Sequence, residues 1–266
     1  MSTQRNYQIE AIVTKKTKLG EADRILTLYT PNLGKIQAVA KGVRRPKSKL
    51  AGHLELLTYS LVSLAHGRNL DTITGSQTIN SFFPLKSDLV LTSYALYATE
   101  LVNQFTVDHV ENRPLFRLFL KTMEQLCLPG DSELALRYFE LQLLNEVGYR
   151  PQLQQCVTCH QLLKPTINSF CASTGGMLCP NCRQNQPSTY PLSVNALKIL
   201  RLLQSSDYSF ISRLKMNPTL SQELETVTRN YLKYLLEREI KSAAWLDSLR
   251  EQIRQTSPDQ HHFAIE

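Results

Sequence analysis

From Tyr7 the chain alternates apolar and polar positions, with Tyr7, Ile9, Ala11 and Val13 on one side of YQIEAIVTKK, a period of two that predicts a half-buried strand. The alternation breaks at the polar turn TKLGEAD and resumes in RILTLYT. A Pro/Asn/Gly turn, PNLG, leads into GKIQAVAKG, so Arg24–Thr30 and Lys35–Lys41 are expected to form a hairpin. Two more strand-like runs, LTYSLVSLAHG and NLDTITGSQTI, are separated by a glycine-containing turn. About five short strands in the first eighty residues suit a small closed barrel, with the OB-fold as the leading candidate.

After Phe82, Phe83 and Pro84 the period lengthens to about 3.6. In DLVLTSYALYATELVNQF the residues Leu91, Tyr94, Ala95, Ala98, Leu101, Val102 and Phe105 form one apolar stripe. A second helix is expected from Pro114 through LFRLFLKTMEQL, and a third after PGDS, capped by Asp131 or Ser132 and stopped at Gly148. The third, ELALRYFELQLLNEV, has too many apolar residues for one face, which predicts a central helix. Further helices are expected in SVNALKILRLL with Ser193 as cap, in TLSQELETVTRNYLKYLLEREI, and around Trp245–Ile253. The fold class is therefore α+β: an N-terminal OB-fold barrel over residues 1–82, and a helical domain over 83–255 carrying an inserted cysteine-rich module at about 150–187. Residues 256–266, TSPDQHHFAIE among them, carry no packing signal and are expected to fray.

Charge changes this picture in one place. The net charge is +7, and the first eighty residues hold 12 Lys and Arg against 5 Asp and Glu, while the remainder holds 18 of each. The excess concentrates in KGVRRPKSKLAG, where Lys41, Arg44, Arg45, Lys47 and Lys49 occur without an acid in a stretch that carries Gly42 near its start and Gly52 at its end. A mobile cationic loop of this density belongs in water or against a polyanion; a solvated loop and a nucleic-acid contact are both open on these residues alone. The loop has no aromatic residue, and Tyr29 and Tyr59 fall in strand patterns, so phosphate contacts should dominate over base stacking. Glu21 and Asp23, in GEADR, read as turn residues forming exposed ion pairs. Hydrophobic residues make up 42% of the chain and no apolar run approaches the ~18 residues a membrane helix needs, which together with the absence of a leader-like N-terminus points to a cytosolic protein.

The strongest chemical signal is CVTCHQLLKPTINSFCASTGGMLCPNC. Cys156 with Cys159 and Cys179 with Cys182 form two CxxC pairs separated by 19 residues, the spacing of a structural four-cysteine zinc site, one ion per chain. Disulfides are disfavoured in the cytosol, and a redox CxxC by the duplication. Four sulfur ligands leave no coordination position for a substrate, so the site should support folding without catalysis. His160 and Cys171 do not fit the paired geometry, and Cys127 reads as core.

The order of these parts resembles the RecO family of bacterial DNA repair and recombination mediators. GEADRILTLYTPNLGKIQAVAKGVRRPKSKLAG carries the resemblance most specifically, supported by LRYFELQLLNEVGYRPQL and by the CVTC and GGMLCPNC segments. The resemblance implies an OB-fold, a helical domain with a zinc element, no enzymatic turnover, and a cytoplasmic, nucleoid-associated protein. It implies binding to single- and double-stranded DNA, annealing of complementary strands, and help in loading RecA onto strands covered by single-stranded DNA-binding protein (SSB), with RecR as partner. The expected DNA-binding cations are Arg24, Lys35, Lys41, Arg44, Arg45, Lys47 and Lys49. The acidic, phenylalanine-ended SSB tail is expected in a pocket of the helical domain, with Arg137 as first choice for its carboxylates and Arg117 and Lys121 as weaker ones; on pattern alone each of the three reads as a solvent-facing cation. Competing readings are an RNA-associated OB/zinc-ribbon factor and a nuclease, the latter disfavoured because the acidic residues are too dispersed to cluster around Mg²⁺.

Overall fold

A computed structural model of the chain describes residues 6–184 and 186–256. Five strands, β1 (Asn6–Leu19), β2 (Asp23–Thr30), β3 (Gly34–Ala40), β4 (Tyr59–Ala65) and β5 (Asp71–Asn80), close into a barrel in the order β1-β2-β3-β5-β4. The β3–β5 pairing is parallel and the others are antiparallel, which is the connectivity of an OB-fold. β1 runs past the expected polar turn to Leu19 because a bulge between Val13 and Lys15 bends it, so that its first half pairs with β4 and its second half with β2. Val13, Leu26, Leu28, Ile36, Val62 and Leu64 fill the interior.

Helices α1 (Phe83–Ser87), α2 (Leu89–Phe105), α3 (Arg113–Leu126) and α4 (Ser132–Glu146) follow. Asp88, Asn112 and Asp131 cap the last three by accepting main-chain N–H groups of the first turn. α4 takes the centre, as its all-round apolar character requires, contacting α2, α3 and three later helices. The chain then leaves the bundle for a three-stranded sheet ordered β7-β6-β8, built from β6 (Asn168–Cys171), β7 (Gly176–Leu178) and β8 (Tyr190–Leu192), with the one-turn α5 (Pro180–Arg183) between the last two. It returns through α6 (Val194–Ser205), the short α7 (Tyr208–Ile211), α8 (Pro218–Leu236) and α9 (Lys241–Thr256), which pack back onto α4 and α2. The expected frayed tail lies outside the described residues from 257 onward. Among the described residues no helix is long and apolar enough to cross a membrane.

Barrel and bundle share one core. Ile12, Tyr29 and Leu57 belong to the same apolar cluster as the helices, and the Tyr29 ring lies 5.9 Å from that of Phe116 and 6.3 Å from that of Phe119. Tyr29 is thus interdomain core, which removes it from any base-stacking role. The β2–β3 turn is clamped beneath the α2–α3 connection. Gly34 holds φ at +62°, and a Cβ there would stand 2.1 Å from the Val110 carbonyl oxygen, so neither the backbone angle nor the space admits a side chain.

Candidate nucleic-acid interface and metal centre

The basic loop leaves the end of β3 and is held in a defined path. Asp23 accepts the Gly42 N–H at 2.7 Å, the Arg44 N–H reaches the Ala22 carbonyl at 3.0 Å, and Val43 is buried against the barrel core. The expectation of a mobile loop gives way to a pinned one. Asp23, expected to form an exposed ion pair, serves as the pin. Because the main chain faces the barrel, the side chains of Lys41, Arg44, Arg45, Lys47 and Lys49 are all exposed. Arg24 lies at the same end of the barrel, opposite Ala40 in the β2–β3 register, and shares a hollow of about 170 Å³ with Lys16, Arg44 and Glu55.

Two further cations join this group, Lys15 from the end of the predicted strand and Lys18 from the predicted turn. Lys18 stands opposite Arg24 and Lys15 opposite Thr27, both exposed on the extended β1. The signal was the density of TKKTK, which a hydrophobic period cannot register. Lys35 does not belong to the group. It sits at the other end of β3, about 20 Å away at ~3.3 Å per residue. Its ammonium donates to the carbonyls of Asn103 and Thr106, both at 2.7 Å, and pairs with Asp108 at 3.3 Å. The structure therefore corrects the assignment of Lys35 from a phosphate contact to a bolt between barrel and bundle, since an ammonium with its donors spent on main-chain oxygens has none to offer a phosphate.

The four cysteines of the two CxxC pairs converge, with all four Sγ atoms within 4.8 Å of one another and Cys159 and Cys179 at 3.9 Å. Two local features fold them so. The His160 N–H closes a turn on the Cys156 carbonyl at 2.9 Å with His160 at φ +59°, and Cys179 opens α5 so that Cys182 follows on its first turn. Gly176 lets the first pair pack close, since a Cβ there would lie 2.5 Å from the Val157 side chain. Burial opposes ionisation of Cys156, but N–H donors of Cys159, Cys179 and Thr158 outweigh it and bring its thiol down to about 6. The neighbouring sulfurs, Cys179 first, push Cys182 up to about 12. Four thiolates at this spacing repel one another unless a cation sits among them, and with metal–sulfur bonds of about 2.3 Å a tetrahedral ion fits the cluster. His160 and Cys171 lie outside the group of four, and the buried Cys171 contacts the Ser173 hydroxyl at 3.2 Å. Changing Cys159 to Ser is expected to lower bound metal from about one equivalent per chain to a small fraction of it and to open residues 152–183 to protease, as measured by elemental analysis and limited proteolysis; full metal content in this variant would exclude a four-sulfur site.

The cations named on the helices separate. Arg117 and Lys121 stand exposed one turn apart on α3, at the edge of a groove of about 840 Å³ floored by Leu118, Ala135, Tyr138 and Tyr208. The two tyrosine rings pack at 5.3 Å. Arg137 faces the other way. It is 1% exposed, its guanidinium paired with the fully buried Glu140 at 2.9 Å and donating to the Thr228 hydroxyl at 3.1 Å. Arg137 is thus corrected from a docking residue to a core residue. A helix buried on every side has no solvent face for a cation to occupy.

A closed OB-fold barrel with a pinned, outward-facing basic loop shares its core with a helical bundle that carries a four-cysteine cluster able to hold a metal ion. The family model described as Recombination protein O N terminal matches residues 1–82, and that described as Recombination protein O C terminal matches residues 86–244. The chain is 49% identical over 250 residues to the DNA repair protein RecO of Dehalococcoides mccartyi (strain CBDB1), covering 94% of this chain and 98% of the relative. It is 41% identical over 254 residues to that of Roseiflexus sp. (strain RS-1), covering 96% and 89%, and 31% identical over 243 residues to that of Halalkalibacterium halodurans, covering 91% and 95%. The chain belongs to the RecO family.

Proposed function

We propose that this chain acts in DNA repair and recombination as a stoichiometric mediator that binds single- and double-stranded DNA and brings complementary strands together. The observation that carries this reading is the predominantly basic surface at one end of the barrel, where Lys15, Lys18, Lys41, Arg44, Arg45, Lys47 and Lys49 are exposed, Arg24 lies beside them and Glu55 is paired with Lys16. Neutralising the phosphates of two strands lowers their mutual repulsion, so pairing proceeds without any base being read and without turnover of a small molecule. Zinc is the metal that best suits four sulfur ligands at CxxC spacing, and it would hold the module together and take no part in catalysis. The α3 groove, with Arg117 and Lys121 at its edge and two tyrosines on its floor, suits an acidic tail ending in an aromatic residue. On this reading it receives the SSB tail, and DNA already covered by SSB is brought to the basic surface through effective concentration, where RecR joins and RecA loading follows. The site of action is the cytoplasm, at the nucleoid.

The test is the annealing of complementary oligonucleotides with and without SSB. The expected result is acceleration that is stoichiometric in protein, independent of Mg²⁺ and of nucleotide, and retained on SSB-covered strands. No acceleration, Mg²⁺-dependent cleavage, or a strong preference for RNA of the same sequence would each overturn this reading.

A further inference from the structure

The balance of 18 basic and 18 acidic residues after residue 80 conceals a second segregation. Residues 81–146 hold nine acids and five bases, and residues 207–266 hold nine acids and eight bases. Between them, residues 147–206 contain Arg150, Lys164, Arg183, Lys198 and Arg201 and not one Asp or Glu. This acid-free segment coincides with the cysteine module and α6. Arg150, Lys164, Arg183 and Lys198 are exposed, whereas Arg201 is half-buried with its Nε donating to the Leu153 carbonyl at 2.9 Å.

The module is small, so its orientation hardly matters. About forty residues pack within a radius of gyration of ~9 Å, comparable to a Debye length at physiological salt, so the exposed cations act together on an approaching ion. Exposed hydroxyls and amides on it, among them Thr158, Gln161, Ser173, Thr174, Asn181 and Gln184, are of the kinds that contact phosphate oxygens. A metal bound by four thiolates leaves two negative charges there, spread over sulfurs of which that of Cys156 already accepts several N–H groups. The four exposed cations outnumber those two charges.

We propose that the cysteine module is a second phosphate-binding surface, separate from the barrel loop, and that it holds the second nucleic-acid strand. This rests on the reading of the loop as the first strand's site. A protein that brings two strands together needs two cationic surfaces, or one wide enough for both strands. The segment between them in the chain, residues 81–146, holds nine acids against five bases and so does not continue either basic stretch.

The test uses the full chain with Arg150, Lys164 and Arg183 changed to Ala, and, because Arg183 adjoins a metal ligand, a second variant carrying only R150E and K164E. Metal content and thermal unfolding establish that each is folded. A surface-tethered oligonucleotide is saturated with protein, and capture of a free, labelled, non-complementary oligonucleotide is then read. Both variants are expected to bind the tethered strand within about threefold of the parent, to capture the second strand at least about tenfold less well, and to lose salt slope in that second step, roughly two units for the triple variant and at least about 1.4 for the double, at ~0.7 per phosphate contact. Undiminished capture by the folded variants would overturn the proposal, as would loss of binding to an acidic peptide such as polyglutamate with DNA capture unchanged, which would assign the surface to a protein. If R44A, R45A, K47A and K49A together leave first-strand binding intact, the reading of the loop fails; the second-strand measurement still decides the module by its own salt slope.

Discussion

Replacing Arg44, Arg45, Lys47 and Lys49 together by Ala weakens DNA binding by about 10²–10³-fold at 0.1 M salt and lowers the slope of log affinity against log salt by about three. The magnitude follows from counterion release. Each phosphate contact to a single strand contributes about 0.7 to the slope, four contacts contribute about three, and 0.1 M lies one decade below the concentration at which this contribution vanishes. The fold should be indifferent, since all four side chains are exposed and the loop's anchors, Asp23, Gly42, Val43 and the Ala22 carbonyl, are untouched. Unfolding free energy within about 0.5 kcal/mol of the parent is the control. Fluorescence anisotropy of a labelled oligonucleotide across a salt series measures the effect, and an unchanged slope would show that the phosphates lie elsewhere. Duplex should lose more than single strand, at about 0.9 per contact against 0.7.

The barrel and the loop were readable in the chain because both are local. Alternation at period two survives in Tyr7–Val13 and Arg24–Thr30 without reference to the rest of the molecule, and a run of five cations without an acid announces itself. The cysteine cluster was equally legible, since two CxxC pairs fix ligand count and geometry from spacing alone. What the pattern could not convey was the direction in which a lone cation points. The carbonyls that hold Lys35 lie 68 and 71 residues downstream on another domain. The fate of Arg137 had a local clue in Glu140, one turn on along a helix with no polar face. Averages misled as well: the neutral sum over the C-terminal two-thirds hid an acid-free stretch of sixty residues between two acidic ones. Periodicity also ended β1 too early, because the bulge at Val13–Lys15 shifts the inward-facing set by one and carries Lys16 toward the barrel interior beside Leu26.

The buried pair on α4 should dominate stability as the loop dominates affinity. Arg137 and Glu140 are 1% and 0% exposed, and Glu140 also accepts the Tyr97 hydroxyl at 2.6 Å. Changing Glu140 to Gln keeps shape and a hydrogen-bond acceptor for Tyr97 but removes the carboxylate paired with the buried guanidinium, leaving it only the electrostatic influence of the half-buried Glu225, so a loss of about 3 kcal/mol is expected, or a fall in melting temperature of roughly 10 °C for a chain of this size. Arg137→Met, which strands the carboxylate instead, should cost about as much. Making Arg137→Met and Glu140→Leu together should recover most of the loss, because no buried charge then remains; the Tyr97 hydroxyl, left without an acceptor, holds back about 1–2 kcal/mol. Thermal and denaturant unfolding of the three variants complete the cycle. The same experiment separates a core role from a docking role for Arg137. A surface anchor for a partner's carboxylates would leave stability within about 0.5 kcal/mol and abolish only the partner's binding. A core cation unfolds the bundle when its partner is removed, and once the double substitution restores the fold it leaves the α3 groove, lined by Arg117 and Lys121, as able to bind an acidic tail as before.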